Sequence, residues 1–101
     1  MILLKRLSKT EVKYGILTTR KGLFRNMLPS FGQKVVFVDS DDNMHKLCMH
    51  QSVLGRIDGL TDLYRAYGVG EGDYVSIDKN DNGNFIIMFW TLNLKKRLEN
   101  N

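Results

Sequence analysis

The sequence predicts a mainly β fold, a small barrel plugged by short helices, on three observations. Apolar residues recur at spacings of three and four over 60–67, which is typical of one short amphipathic helix. The other apolar runs, such as 35–38 and 85–90, have the length of strands and are rich in β-branched and aromatic residues. Polar clusters with the composition of hairpin turns, at 39–43 and 79–84, separate these runs.

The predicted helix passes the chain to a strand within a few residues. Gly68 ends the helical pattern, Gly70 and Gly72 can take a positive φ, and Asp73 can accept hydrogen bonds from its own backbone. Residues 74–78 then suit a pleated, partly buried strand. A short helix that turns this sharply into a strand usually plugs one end of a small barrel.

The remaining elements are predicted in chain order. We expect further strands over residues 2–7, 34–39, 44–50 and 85–92. Residues 8–12 are expected to form a turn or one helical turn, with Ser8 as cap and Glu11 three residues later. Residues 23–28 are predicted as a strand or a short helical turn that Pro29 ends.

Composition indicates one soluble globular domain. The chain has 101 residues, of which 43% are hydrophobic and 26% charged, so we expect a domain over 1–92 with 93–101 as a tail or linker. The apolar runs are too short for a membrane span or a signal peptide, which predicts no membrane partner and an intracellular location. Cys48 is the single cysteine, so no internal disulfide can form.

Charge is unevenly distributed along the chain. Residues 1–34 hold eight basic side chains and one acidic side chain, a net charge of +7, whereas 35–101 hold seven basic and ten acidic ones, a net charge of −3. Such asymmetry is expected of a surface that meets a polyanion, most simply nucleic acid. A solvated lysine surface without a partner is the alternative.

Two polar segments are candidate binding loops. The segment 13–22 ends in a glycine and offers hydroxyl, arginine and lysine donors suited to phosphates and base edges. A second loop is predicted over 51–56, with His50 at its border. Taken as structure alone, the first segment is an ordinary hairpin tip.

Motifs for catalysis or for a cofactor are missing from the sequence. The glycines of 68–73 follow a helix and precede a strand, opposite to the order of a dinucleotide site, and 39–43 lacks the glycine and glutamate of a calcium loop. His45 and His50 are five residues apart, so on one strand they would face opposite sides of the sheet. Cys48 is predicted to be a small core or sheet residue. The sequence therefore predicts a non-catalytic protein without metal or cofactor.

The order of these elements resembles the B-three DNA-binding pseudobarrel. That family includes the DNA-binding domains of plant auxin-response and abscisic-acid transcription factors and the effector or specificity domains of bacterial restriction endonucleases. The resemblance covers about residues 5–90 and is carried by Lys5-Arg6-Leu7-Ser8, the polar loop 13–22, Leu28-Pro29, the hairpin 39–43, Gly59-Leu60 and Glu71-Gly72-Asp73-Tyr74-Val75. Lys5-Arg6-Leu7-Ser8 is most similar to the restriction-enzyme branch.

The resemblance implies a seven-stranded open pseudobarrel that grips duplex DNA in the major groove between two loops. The N-arm corresponds to about 13–21 and the C-arm to about 50–56. The DNA-binding residues implied are Tyr14, Thr18, Thr19, Arg20 and Lys21 in the N-arm, His50, Gln51, Ser52 and Arg56 in the C-arm, and Lys5, Lys9 and Lys13 at phosphates.

The leading hypothesis is a site-specific reader of double-stranded DNA, the target-recognition module of a restriction endonuclease system. It would be a monomer as an isolated domain, would work beside a nuclease or motor domain of the same system, and would lie in the bacterial cytoplasm near the nucleoid. The alternative is a protein-interaction barrel that dimerises through the strand 85–92. A metal-dependent nuclease would need a carboxylate cluster that the spacing of residues does not provide.

Overall fold

A seven-stranded mixed sheet, curved into an open half-barrel, forms the framework of the described chain. The computed structural model describes residues 2–19, 28–53 and 55–91. Within them the elements are β1 (Ile2–Arg6), α1 (Lys9–Tyr14), β2 (Leu17–Thr18), β3 (Lys34–Val38), β4 (Met44–Met49), β5 (Arg56–Asp58), α2 (Thr61–Ala66), β6 (Tyr74–Lys79) and β7 (Phe85–Trp90). The predicted fold class, a mainly β seven-stranded open pseudobarrel with one or two short helices, is confirmed.

The strand order across the sheet is β1-β6-β7-β3-β4-β5-β2. Neighbouring strands are antiparallel except β3 and β7, which pair in parallel at Phe37 with Phe85 and Val38 with Ile86. The edge strands β1 and β2 are therefore far apart in the order of the sheet, although the curvature brings them to the two sides of one open seam.

The core lies on the inner, concave side of the sheet. Alternate residues of each strand point inward, and Phe37, Ile57, Ile77 and Ile87 are fully buried there. The rings of Phe37 and Phe85 are 5.9 Å apart in a tilted arrangement that joins the parallel strand pair. The alternation seen in the sequence thus reflects one buried and one exposed side of each strand.

The two helices plug one end of the half-barrel. The capping box predicted at Ser8 and Glu11 is present, and α1 ends at Gly15, whose φ is +65°. The Gly15 carbonyl oxygen accepts a hydrogen bond of 2.7 Å from the Leu60 backbone N–H, and a Cβ at position 15 would clash with Thr61. Glycine is required here because α1 and α2 approach backbone to backbone.

Most predicted elements are confirmed within one or two residues. The prediction of a loop over 13–22 is wrong for its first half, because Lys13 and Tyr14 belong to α1 and residues 17–18 form a strand with β5. The C-arm is also shorter than predicted, since Arg56 is the first residue of β5. The prediction for 23–27 lies outside the described residues.

Smaller corrections concern single residues. Cys48 is a sheet residue as predicted, but it is exposed, because residues 44, 46 and 48 form the outer side of β4. His50 follows the end of β4 instead of lying on it. Gly70 has no positive φ, whereas Gly68 and Gly72 do. Among the described residues, no helix has the length and apolar character to cross a membrane.

Candidate nucleic-acid interface

The two predicted arms leave the half-barrel at the same end. Strand β2 pairs with β5, so that Thr18 lies opposite Arg56. The next residue, Thr19, donates two hydrogen bonds to the Gly55 carbonyl oxygen, from its backbone N–H at 2.8 Å and from its hydroxyl at 2.9 Å. The root of the N-arm is therefore fixed to the last residue of the C-arm.

Gly55 makes this junction possible. Its φ is +75°, a conformation that other residues rarely adopt, and a Cβ at this position would lie 2.9 Å from the Thr19 hydroxyl oxygen and still closer to the Thr19 backbone. Thr19 is itself buried, with 3% of its surface exposed. The two arm roots are thus packed as one unit, and Thr19 serves the junction instead of facing solvent.

His50 organises the backbone of the C-arm. Its N–H donates to the Arg56 carbonyl oxygen at 2.8 Å, which closes the loop. Its ring atom Nδ1 accepts hydrogen bonds from the backbone N–H groups of Ser52 at 3.1 Å and Val53 at 3.0 Å. Because Nδ1 acts as an acceptor, the neutral imidazole carries its proton on Nε2. The ring therefore shapes the loop with one nitrogen and keeps a donor on the other.

The tip of the C-arm presents exposed side chains of mixed chemistry. Gln51, Ser52 and Val53 are exposed, and Val53 has 44% of its surface in contact with solvent. The Cγ atom of Gln51 lies beside Gly32. A polar cleft of about 580 Å³ runs between this tip and the outer side of β4 and β5, where Cys48 and Asp58 line it.

Arg56 stands at the base of the C-arm with a fixed orientation. Its Nε donates to Asp58 Oδ1 at 2.8 Å, and both side chains are about one-third exposed. Residues 56 and 58 lie on the same side of β5, which brings the two groups together. This contact uses the Nε edge of the guanidinium.

The root of the N-arm is held by a buried carboxylate. Glu11 is 4% exposed, and its Oε1 accepts the Ser8 N–H at 3.0 Å. Its Oε2 accepts from the Thr18 N–H at 2.9 Å and from Lys5 Nζ at 2.8 Å. Lys5 Nζ also donates to the hydroxyl and the carbonyl oxygen of Thr18. One cluster thereby connects β1, α1 and β2 across the open seam of the half-barrel.

The same contacts set the ionisation of Glu11. Burial alone raises the pKa of this carboxyl, but the hydrogen bonds from Lys5, Thr18 and Ser8 outweigh burial, so the pKa lies below its ordinary value. Glu11 is therefore ionised in the folded protein near neutral pH.

The structure divides the predicted site residues into three groups. Those at the arm end are His50, Gln51, Ser52 and Arg56. Those engaged in internal contacts at the root of the N-arm are Lys5, Thr18 and Thr19. Those on α1 are Lys9, Lys13 and Tyr14. Arg20 and Lys21 lie outside the described residues.

The α1 group is separated from the C-arm. The helix ends beside Leu60, whereas the N-arm root lies beside Gly55, and strand β5 (Arg56–Asp58) separates these two points. Lys9, Lys13 and Tyr14 are exposed, and Lys13 Nζ lies 5.4 Å from the centre of the Tyr14 ring. Lys9, Lys13 and Tyr14 are therefore close to Thr19 in sequence but do not lie beside the C-arm tip.

Sequence reasoning missed two residues near the C-arm, Lys34 and Val53, and one further along β4, Lys46. Lys34 and Lys46 lie on the outer side of β3 and β4, and Lys34 is directly opposite Cys48. Val53 lies at the C-arm tip. The alternation of residues along β4 predicts that Lys46 lies on the same side of the strand as Cys48. The position of Lys34 opposite Cys48 depends on the strand register, which the sequence does not give.

A hydrogen bond between His45 and Asp39 fastens the hairpin at the other end of β3 and β4. His45 Nε2 lies 2.7 Å from Asp39 Oδ2, and Asp39 Oδ1 accepts the backbone N–H groups of Asp41 and Asn43. Burial raises the pKa of Asp39, and these hydrogen bonds lower it by more, so its pKa lies below the ordinary value. The carboxylate is thus a turn-forming group. Among the described residues, no three His, Cys, Asp or Glu side chains converge on a metal-sized site.

No protein-family model matches the sequence, and no curated protein matches it. Solved structures do match. The Arabidopsis FUS3-DNA complex is similar with a TM-score of 0.74 and 17% identity, over 88% of this chain and 95% of that chain. A hypothetical protein of Arabidopsis thaliana is similar with a TM-score of 0.68 and 14% identity, over 90% of both chains.

The N-terminal domain of Helicobacter pylori LlaJI.R1 has a TM-score of 0.69 and 9% identity, over 96% of this chain and 89% of that domain. At identities this low the similarity is one of fold. The chain has the B-three-type pseudobarrel fold, and the resemblance inferred from its sequence is confirmed at that level.

Proposed function

We propose that this chain binds duplex DNA, that its C-arm and N-arm enter the major groove, and that it is the target-recognition module of a restriction endonuclease system. The observation that carries the proposal is the junction of Thr19 with Gly55, which holds both arm roots at one end of the half-barrel. The similarity to a FUS3-DNA complex and to a domain of LlaJI.R1 supports the same reading.

The C-arm supplies the groups that read bases. The amide of Gln51 has the donor and acceptor that pair with adenine, and the Nη donors of Arg56 suit guanine. Ser52 and Nε2 of His50 add single hydrogen bonds. The methyl groups of Val53 can contact a thymine methyl. An arm already shaped by His50 loses little conformational entropy when it binds.

Lysines around the arms hold phosphates. Lys34 lies opposite Cys48, near the start of the C-arm, Lys46 lies further along β4, and Arg20 and Lys21 follow the N-arm root directly in sequence. A duplex that continues along β2 toward α1 brings phosphates to Lys9 and Lys13, with Tyr14 beside them. In this arrangement Lys5, Thr18 and Thr19 support the arms from within the protein.

The module itself performs no chemistry in this proposal. Cleavage belongs to a nuclease or motor domain of the same system, and this chain selects the site. The non-catalytic role is tested by incubation with plasmid and Mg²⁺, in which we expect no nicking.

The binding proposal is tested by fluorescence anisotropy on labelled duplexes at several salt concentrations. The Arg56→Ala variant should bind a preferred duplex at least about tenfold more weakly and discriminate less between sequences. Arg65→Ala is the matched control, because Arg65 is an exposed arginine on α2, at the helix end of the half-barrel. Equal losses for both variants would contradict a reading role for Arg56.

A further inference from the structure

Outside the DNA-binding end, the outer side of β1, β6 and β7 forms a surface that nothing in the described chain covers. The register of these strands aligns three cross-strand rows, namely Ile2–Asp78–Ile86, Leu4–Ser76–Met88 and Arg6–Tyr74–Trp90. The residues between them along β6 and β7, such as Val75, Ile77 and Ile87, are buried in the core. We call this set of three rows the outer face.

The outer face is unusually apolar for a surface. Ile2 is 66% exposed, Leu4 63% and Trp90 54%, and Met88, Tyr74 and Ile86 are each more than one-third exposed. Together they expose roughly 600 Å² of side chain, which is as much as the largest apolar patch of an ordinary monomer. Exposed apolar patches of this size usually mark interaction sites.

The outer face is not flat, because a ridge of large side chains lies beside a trough. Ser76, at the centre of the middle row, is small, while Leu4 on one side and Met88 on the other are large. These side chains and their neighbours enclose an open trough of about 550 Å³ along β6. Strand β1 is the last strand on this side of the sheet, so Ile2 and Leu4 form a ridge at the margin of the face.

We propose that the partner of the outer face is a second copy of this chain. A two-fold axis that crosses the strands at the middle row lays β1, β6 and β7 of one copy over the same strands of the other with the rows in reverse order, so that Arg6 lies beside the partner's Asp78. A contact of this kind is isologous, because the same surface serves both copies.

Charge and area favour this occupant over others. The charged members of the three rows are Arg6 and Asp78, which have opposite signs and lie in the first and third rows, so the face offers no net charge to a polyanion or to a strongly charged protein. Two such faces bury about 1,200 Å² in total, the lower end of the range for specific interfaces. The expected dimer is therefore reversible, with dissociation in the micromolar range.

The proposal stands apart from DNA binding, because it concerns a different surface. It differs from the monomer that the sequence predicts for the isolated domain, and it shares β7 with the dimer of the alternative hypothesis. A dimer of DNA readers would have two arm ends related by two-fold symmetry, and a site with two half-sites would suit it.

Sedimentation equilibrium of the full chain without DNA, from about 1 to 300 µM, tests the proposal. The weight-average mass should rise from 11.7 kDa toward twice that value. The emission maximum of Trp90, the only tryptophan of the chain, should shift to shorter wavelength over the same range. A constant mass of 11.7 kDa up to the highest concentration would overturn the proposal.

Met88→Glu is the diagnostic variant, because each dimer would bury two new carboxylates. We expect its association to be weakened at least about 100-fold. Met44→Glu is the matched control, since Met44 is also an exposed strand methionine, 60% exposed, but lies on β4. Circular dichroism and the melting temperature verify the fold, and Leu4→Lys provides a second variant at the ridge. Wild-type association of Met88→Glu or Leu4→Lys, or equal loss in Met44→Glu, would overturn the assignment to the outer face.

Discussion

The carbonyl oxygen of Gly55 accepts two hydrogen bonds from Thr19, one from the backbone and one from the hydroxyl. Residues 36 positions apart in the chain thereby place the roots of both arms in a fixed relation. Everything proposed for DNA binding depends on this relation, because two loops can grip one groove only if their spacing is constant.

The Thr19→Val variant tests the side-chain half of the junction. Valine keeps the shape of threonine but loses the hydroxyl, so that the Gly55 oxygen retains only the backbone donor. We expect a loss of about 1–2 kcal/mol in the free energy of unfolding, measured by urea denaturation. Thr19→Ser, which keeps the hydroxyl, should recover the hydrogen bond and part of the stability.

A pair of glycine variants tests the close approach at the junction. Gly55 and Gly83 both have a positive φ, +75° and +82°, but a Cβ at Gly83 meets open space. Gly83→Ala should therefore cost about 1 kcal/mol of stability, because only the unfavourable positive φ of the new alanine contributes. Gly55→Ala should cost at least about 2 kcal/mol more, because its Cβ also clashes with Thr19. Equal costs in thermal unfolding would mean that the junction is loose.

The stability of the protein should depend on pH through Glu11. Its pKa in the folded state is held below the ordinary value of 4.5, so its contribution to stability is fully present above that value and is lost as the pH falls through the folded pKa. Glu11→Gln should lower the free energy of unfolding by about 1.5–3 kcal/mol at pH 7. The difference between wild type and variant should shrink below about pH 4.5.

Urea denaturation at a series of pH values checks this prediction. Asp62→Asn is a suitable control, because Asp62 is an exposed carboxylate on α2. A wild-type curve that parallels the Glu11→Gln curve down to pH 3 would contradict the role given to the Lys5 and Thr18 contacts.

Two substitutions of His50 separate its structural role from its contact with DNA. In His50→Asn the side-chain oxygen can replace Nδ1 as acceptor for the backbone N–H groups of Ser52 and Val53. His50→Ala removes both functions. In anisotropy titrations we expect His50→Asn to bind DNA more weakly than wild type. We expect it to bind about tenfold more tightly than His50→Ala. Identical affinities of the two variants would show that the loop does not need the Nδ1 acceptor.

The elements that the sequence predicted well are those formed by neighbouring residues. The capping box of Ser8 and Glu11, the turn at 39–43 and the Asn82-Gly83 hairpin depend on contacts within a few positions, so their residue types are sufficient evidence. The pairing of β1 with β6 and the parallel pairing of β3 with β7 join distant segments. No local sequence pattern predicts such pairings. The number of strands was predicted from the resemblance to a family.

The candidate site was predictable only in part for the same reason. Gln51 and Ser52 were predicted as loop residues, and His50 as the residue that borders their loop. Thr18 and Thr19 have the chemistry of DNA contacts, yet they are engaged by Glu11, seven positions before Thr18, and by Gly55, 36 positions after Thr19. Lys34 could not be identified from the sequence, because its position near the C-arm depends on the register between β3 and β4.

The central claim is that the two arms read duplex DNA, and selection of bound duplexes from a random-sequence pool tests it most directly. The account predicts a short enriched motif, whose binding constant falls with salt by a logarithmic slope of about 0.9 for each phosphate contacted. Arg56→Ala should relax the preference at one or two positions of that motif. Failure to bind any duplex at low salt, by a chain that is folded by circular dichroism, would contradict the account.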